Sequence, residues 1–223
     1  MSEIWKKMAS CADAMKQKME SAGSIDNDPI LEKYNWDNHV YRSNIYRRGH
    51  VEVVDKRHDH GLFILHATIF PKENSNAPIW GFDAVCGANK ITGAFHDFSL
   101  VEPINHPMYS WFTEETSKIT WKKQRQLPPW AQEIFSENMV AAGNIHDLDE
   151  VDQLINLGLK TLDYYLEHID NYNFPDKNYI EMQNRYCHFQ KQNPHVVRSM
   201  VAMGYEQQVI EQFVQEVLFP EVV

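Results

Sequence analysis

Leu62-Phe63-Ile64-Leu65-His66-Ala67-Thr68-Ile69-Phe70-Pro71 and Pro78-Ile79-Trp80-Gly81-Phe82-Asp83-Ala84-Val85 are two apolar runs of strand length, each interrupted by one titratable side chain. Their content of β-branched and aromatic residues and the turn residues around them read as neighbouring strands. The interval between them is too short for a parallel crossover, which takes a dozen or more residues, so they pair antiparallel. The same reading extends from about Tyr41 to Val101, where strand-like segments alternate with His60-Gly61, Asn74-Ser75-Asn76 and Gly87-Ala88-Asn89.

Helical patterns flank this region. Before it, residues 2–21 place Ile4, Met8, Cys11, Met15 and Met19 on one side of a helix that a Gly/Asn/Asp/Pro stretch from Gly23 to Pro29 ends. After it, a helix is expected within Pro107–Lys123, then the stiff segment Leu127-Pro128-Pro129-Trp130, then a strand near Asn138–Asn144. Past Asp147, residues Val151, Leu154, Ile155, Leu157, Leu159, Leu162, Tyr165 and Leu166 form a broad apolar face. Further helices are expected over Asp176–Gln192, stopping before Pro194, and over Tyr205–Leu218. Strands in the middle with helices at both ends predict an α/β fold: a three-layer α/β/α sandwich with a central antiparallel β-sheet flanked by helices, a single domain over residues 1–223.

The 223 residues suffice for a substantial core, and 43% hydrophobic content argues against disorder. A net charge of −10 disfavours phosphate-backbone binding, so no nucleic-acid partner is expected. The apolar runs are too short and broken to span a membrane. Three widely spaced cysteines, Cys11, Cys86 and Cys187, suggest a reducing cytoplasm and offer no CxxC pair for a metal.

His66 and Asp83 carry the chemistry. A titratable group in apolar surroundings loses its hydration, so it needs a partner or a task. His50-Val51-Glu52 opens the zinc-deaminase signature, but the Pro-Cys-x-x-Cys that must follow is missing. On a strand, His50 and Glu52 share a face; that face is either the one bearing His66 and Asp83 or the outer one. His58-Asp59-His60, beside Gly61, reads as an exposed hairpin turn, and no metal site is expected. Neither a phosphate loop nor a dinucleotide fingerprint occurs, so a redox role would need electrons from outside. Basic residues gather at Arg47-Arg48, Lys56-Arg57 and Lys122-Lys123 with Arg125.

Ile64-Leu65-His66…Phe70-Pro71, Gly81-Phe82-Asp83-Ala84-Val85…Gly87, Ile91-Thr92-Gly93-Ala94…Asp97-Phe98-Ser99, Gln124-Arg125-Gln126-Leu127-Pro128-Pro129-Trp130…Ile134-Phe135-Ser136-Glu137, Gln183…Tyr186-Cys187…Gln190-Lys191-Gln192-Asn193 and Val217-Leu218-Phe219 stand in an order that resembles the ferredoxin-dependent bilin reductases. The likeness covers about residues 40–220 and is greatest for the phycocyanobilin-forming type. It implies biliverdin IXα bound between the sheet and the C-terminal helices, no bound cofactor, and single electrons from reduced ferredoxin. By motif, Asp83 matches the central proton-donating aspartate and His66 the histidine that shares its proton. Glu52 matches the glutamate tied to reduction of the D-ring exovinyl group, with His50 beside it. Arg125 and Thr92 match residues that hold the propionates, and a planar guanidinium suits a carboxylate.

The tract after Gln192 departs from the family. Asn193-Pro194-His195-Val196-Val197-Arg198 stands where Asn-Asp-Lys-Thr-Arg-Arg is usual, so Pro194 replaces an acid of A-ring chemistry and His195 a lysine near a propionate. The resemblance makes Asn193, His195 and Arg198 substrate-binding candidates. Glu52 and His66 favour phycocyanobilin as product; the short chain and altered tract resemble phage-encoded relatives that form phycoerythrobilin. A non-catalytic bilin-binding carrier or lyase-like protein is the competing reading. Ferredoxin is expected to dock on Lys122, Lys123 and the Arg47-Arg48 pair, and the protein to be monomeric and cytoplasmic, in a bacterial host if phage-encoded.

Overall fold

The computed structural model describes residues 2–102 and 106–222. Seven strands form one antiparallel sheet in chain order: β1 (Ser24–Asp26), β2 (Asp37–Arg42), β3 (Tyr46–Lys56), β4 (Leu62–Pro71), β5 (Ile79–Cys86), β6 (Ile91–Ser99) and β7 (Val140–Ala142). Each strand pairs with the next because the connections are hairpins or returns to an adjacent edge. The exposed turn at residues 57–61 closes the β3–β4 hairpin, with Gly61 at φ +61°.

Seven α-helices among the described residues cover the two faces. On one side, α1 (Glu3–Ala22) buries Ile4, Met8, Cys11, Met15 and Met19, and α4 (Leu148–His168) buries Val151, Leu154, Leu157, Leu162 and Tyr165. They pack with α2 (Pro107–Ser117) against Phe63, Leu65, Ala67, Trp80, Phe82 and Phe98 of the sheet. Each such side chain, fully buried, contributes about 1.5–3 kcal/mol, so this layer holds most of the stability. The opposite face carries a smaller cluster of α5 (Ile180–Gln190), α6 (Pro194–Ala202) and α7 (Gln207–Gln212) with the π-helical turn Phe213–Leu218, centred on Tyr186, Met200, Ile210, Phe213 and Phe219. The short α3 (Pro129–Gln132) begins directly after Pro128. This is the three-layer arrangement the sequence predicts.

Three elements differ from expectation. The stretch Gly23–Pro29, taken as a breaker, contains β1, whose Ile25 lies opposite Tyr41 of β2. Strand β2 starts at Asp37, well before Tyr41. A helix runs from Pro194 to Ala202 where none was expected: Asn193 caps it by accepting from His195 N–H at 3.0 Å, and Pro194 occupies the first turn, where its missing N–H costs nothing.

Candidate functional site

The sheet register assembles the site. Asn38 lies opposite Glu52, Glu52 opposite His66, His66 opposite Asp83, and Asp83 opposite Phe95, so one row crosses β2 to β6. Directly opposed residues of antiparallel strands share a face with Cβ atoms about 4.5–5.5 Å apart. A second row, two residues along, runs Val40, His50, Thr68, Gly81, Asp97. His50 and Glu52 therefore face the same way as His66 and Asp83, which closes the alternative left by the pattern alone.

Both rows lie on the side of α5–α7. Along β4 and β5 burial alternates: Phe63, Leu65, Ala67, Phe82 and Ala84 are sealed against α1 and α4, whereas Ile64, His66, Gly81, Asp83 and Val85 stay partly open. The C-terminal helices thus cover the Thr68–Pro71 end of β4 and leave the side chains that its Leu62–His66 end presents on this side, with Asp83 and Val85 of β5, partly open, and this partly open face is the candidate cleft. Phe219, just past the π-helical turn, sets its ring edge-on to His66 with centroids 5.9 Å apart. Tyr186 of α5 packs against Phe219 and Phe70 and accepts from Gln190 at 2.8 Å.

Four buried or cleft-lining histidines divide into two kinds. His96, on the α4 side, has Nδ1 2.6 Å from the Gly81 carbonyl and Nε2 2.7 Å from the Thr161 hydroxyl. His106 is likewise bonded at both nitrogens, to Met108 N–H and Asn76. In the cleft, His50 reaches Asn38 Oδ1 at 3.3 Å through Nε2, but its Nδ1 has no partner; His66 Nδ1 and Thr68 Oγ1 have none either. The rings of His50 and His66 lie 6.1 Å apart. Buried polar groups are nearly always paired, so three open ones side by side mark a place built for a polar ligand.

Electrostatics prepare the acids to be proton donors. Burial pushes Asp83 up to about 7. Burial, then the neighbouring Asp83 charge, raises Glu52 to about 8, with the Trp36 indole pulling weakly the other way. Burial, then Arg48, drops His66 to about 4 and holds His50 well below its usual value. At neutral pH the row therefore carries protonated or half-protonated carboxyls beside neutral imidazoles. Among the described residues His66 and Asp83 make no hydrogen bond to each other. Each opens toward the cleft, so the expected sharing of one proton is not a direct contact here.

Thr92 and Arg125 come together at the edge of the row. Arg125 donates from Nη1 to the Thr92 carbonyl at 2.8 Å and lies 5.6 Å over the ring of Phe95, the residue opposite Asp83. The Thr92 hydroxyl is engaged with the Val85 carbonyl at 2.9 Å, leaving the exposed guanidinium as the freer donor. Asn193 is spent on capping α6. His195 and Arg198 are exposed on that helix, whose inward residues are Val196, Val197 and Met200, and they share no hydrogen bond, ion pair or ring contact with the row among the described residues. A helix that starts at Pro194 presents them to solvent, apart from the Glu52–His66–Asp83 row.

The docking expectation is also corrected in part. Arg48 is only 4% exposed and Arg47 is held by Gln183 at 2.7 Å over the Phe70 ring, so this pair offers no surface patch. Lys122 is exposed but paired with Asp147. Asn38 of the site has no mark in the sequence reading; Thr68, Tyr186 and Phe219 stand in the quoted stretches without a role, and Arg48 is assigned there to docking. Asp97 is buried, accepts from Ser99 Oγ at 2.7 Å and from Ser136 N–H at 3.0 Å, and so pins the 129–139 segment to the second row. The alternation of β3 and β4 could have exposed Arg48 and Thr68, since both share parity with His50 and His66.

Among the described residues no three His, Cys, Asp or Glu side chains group as metal ligands, and no helix is long and apolar enough to cross a membrane. Comparison with known proteins gives a family match over residues 3–220, to ferredoxin-dependent bilin reductase. The chain is 27% identical over 188 residues to phycocyanobilin:ferredoxin oxidoreductase of Gloeobacter violaceus, covering 82% of this chain and 72% of that one. To the protein of the same description from Prochlorococcus marinus (strain MIT 9515) it is 24% identical over 223 residues, covering 92% and 88%. The solved structure of a PcyX protein superposes with a TM-score of 0.72 at 26% identity, covering 97% of this chain and 99% of that one. Phytochromobilin synthase from tomato, solved in complex with biliverdin, gives 0.72 at 14% identity, covering 96% and 82%, and shares the fold.

Proposed function

The chain belongs to the ferredoxin-dependent bilin reductases and is an oxidoreductase; from that premise we propose that it reduces biliverdin IXα by four electrons to a phytobilin, using the Glu52–His66–Asp83 row to deliver protons. The observation that carries this reading is the pair of cleft histidines, His50 and His66, each with one open nitrogen beside two carboxyls that hold their protons near neutral pH.

The chemistry follows from adding charge to a conjugated ring system. Reduced ferredoxin gives up one electron at a time, and each electron makes the bound tetrapyrrole more basic. A proton must follow each electron, four of each for the full reaction. A carboxyl tuned near the working pH is the most effective donor, since it is still protonated yet releases readily. Asp83, at the centre of the row and partly open to the cleft, is the primary donor; Glu52, deeper and higher, is the second. Because the two charges oppose each other, they titrate as a coupled pair. Arg125 holds one propionate at the cleft edge. His50 and Thr92 of the proposed set shape the pocket, Asn193 fixes the start of α6, and His195 and Arg198 meet the pigment's rim from the solvent side.

Two products remain in view, each with an observation behind it. Glu52 beside His66 favours reduction at the D-ring, hence phycocyanobilin. Pro194 in place of an acid, with His195 exposed, favours a different second site, hence phycoerythrobilin. Anaerobic turnover with biliverdin and reduced ferredoxin, followed by chromatography against both standards, tests the activity and names the product. In that assay Asp83→Asn is expected to bind biliverdin within about threefold of wild type while turnover falls about 100-fold, in line with loss of a general acid. Full turnover by that variant, or an unchanged pigment spectrum with the wild-type protein, overturns the assignment.

A further inference from the structure

Arg48 is a buried cation that makes no ion pair among the described residues. It stands on β3 two residues from His50 and four from Glu52, on the same face, opposite Phe70 of β4. A β-bulge between Tyr46 and Arg48 shifts the register at this point, and such bulges re-aim side chains near active sites. Nη2 donates to the Val217 carbonyl of the π-helical turn at 2.6 Å, and Nη1 is buried with no partner. Isolated buried charge is expensive, and natural proteins keep it where it serves a purpose.

The carboxylates at this corner are engaged with other partners, and none of them bonds Arg48 directly among the described residues. Arg47 beside it is another cation, and Arg42 is committed to Asp26 at 2.8 Å. Arg48, Arg47 and Arg42 line a small cavity at this corner together with Asp26, Asp28, Glu216 and Glu221. Of these, Asp28 caps Ile30 N–H, Glu221 pairs with Lys191 and Glu216 accepts from Gln212. Along its own file the next carboxyl is Glu52, which keeps its proton at neutral pH.

We propose that Arg48 is a positioning residue for electron transfer: its fixed guanidinium, beneath the C-terminal helices and two residues from His50 on the same face, holds a positive potential that favours the bilin in its electron-loaded state. This rests on the reductase reading above. One electron leaves reduced ferredoxin and enters the bilin, giving a radical anion; a proton from Asp83 then neutralises it. In the interval between the two events the charge is unscreened in a low-dielectric site, where a preorganised cation acts most strongly. The same field opposes charging of the neighbouring imidazoles, in keeping with the lowered His66 and His50, where Arg48 is the second cause after burial. Arg48 itself is pushed down to about 9 by burial and so stays protonated at neutral pH.

Two variants separate charge from hydrogen bonding. Arg48→Gln keeps an N–H for the Val217 carbonyl but removes the charge; Arg48→Lys keeps a charge without the guanidinium fork. With biliverdin bound, Arg48→Gln is expected to slow the first one-electron reduction about tenfold and to raise the pH midpoint of the bound pigment's absorbance by about one unit, a tenfold gain in proton affinity. Arg48→Lys recovers most of the rate at the acid end of the profile and loses it as pH rises, because a buried ammonium gives up its proton more readily than a guanidinium. Wild-type behaviour of Arg48→Gln in both readouts overturns the proposal. So does an Arg48→Lys profile parallel to wild type, which also decides the matter should the glutamine variant fail to fold. The pigment's pH midpoint needs no turnover, so a wild-type protein that binds biliverdin without reducing it would refute the reductase reading and still report on Arg48.

Discussion

Glu52 and Asp83 are held in the folded protein with affinities for protons far above those of free carboxyls, and this has a thermodynamic consequence. In the unfolded chain both ionise near pH 4; in the fold they keep their protons to about 8 and about 7. Between those limits the folded state binds more protons, so their contribution to stability is present below about pH 4 and is lost as pH rises through the folded values. The buried histidines act in the opposite direction, since His66 at about 4 costs stability as pH falls below about 6.5. Glu52→Gln removes one alkaline liability without changing shape. Thermal melts should therefore show the variant more stable than wild type by about 1–3 kcal/mol at pH 8.5, with the advantage gone near pH 4.5. A pH-independent difference would mean that Glu52 is ionised in the fold. At this scale His66, Asp83 and Glu52 were legible because a polar residue inside an apolar run is conspicuous. Arg48 was not: a dibasic pair reads as solvated until one asks which way each residue of a strand faces, and the bulge that places Arg47 and Arg48 has no signature in the sequence.

Elements are fixed by where their small residues stand. α4 crosses the sheet at Gly158, where an added Cβ would lie 2.6 Å from Cε2 of Phe82 and 3.2 Å from the Met15 methyl. Phe82 is buried and stacked on Trp80, so it cannot swing aside. Glycine inside a helix costs about 1 kcal/mol in propensity against alanine, and a solvent-facing site would gain that on substitution. Here overpacking, typically 1–3 kcal/mol, outweighs it. Gly158→Ala should lower the melting temperature by several degrees; an unchanged or higher value would show that α4 can slide along β5. Helices α1 and α4 were readable from their apolar stripes because each covers a full face of the core. β1 was not, since three residues cannot display a period, and α6 was masked by its proline, taken as a stop when with Asn193 before it the pair marks a start. The consequence reached the site: His195 and Arg198 were placed by motif position, and a helix turning there sends both outward.

The molecule as a whole is unequal across its sheet. On the α1–α4 side a continuous apolar core is sealed and its histidines are bonded. On the α5–α7 side lies the smaller cluster, and every buried unpartnered polar atom among the described residues except Asn173 Oδ1 belongs there: Tyr34, Trp36, Arg47, Arg48, His50, His66 and Thr68. Open polar groups in a low-dielectric setting weaken the layer that contains them, and local opening follows the layer with the fewest buried apolar contacts. The substrate that satisfies those groups should then stabilise that layer selectively. Ligand that binds only the folded state adds about 2.7 kcal/mol at 100 times its dissociation constant, enough to raise a melting temperature by several degrees in a domain of this size. Hydrogen exchange should locate the gain: in the free protein α5, α6, α7 and the turn Phe213–Leu218 exchange faster than α1 and α4, and biliverdin slows the first group while leaving the second unchanged. Uniform protection of both layers would place the ligand elsewhere, and stronger protection of α1 and α4 would put it on the wrong face of the sheet for Asp83 to reach.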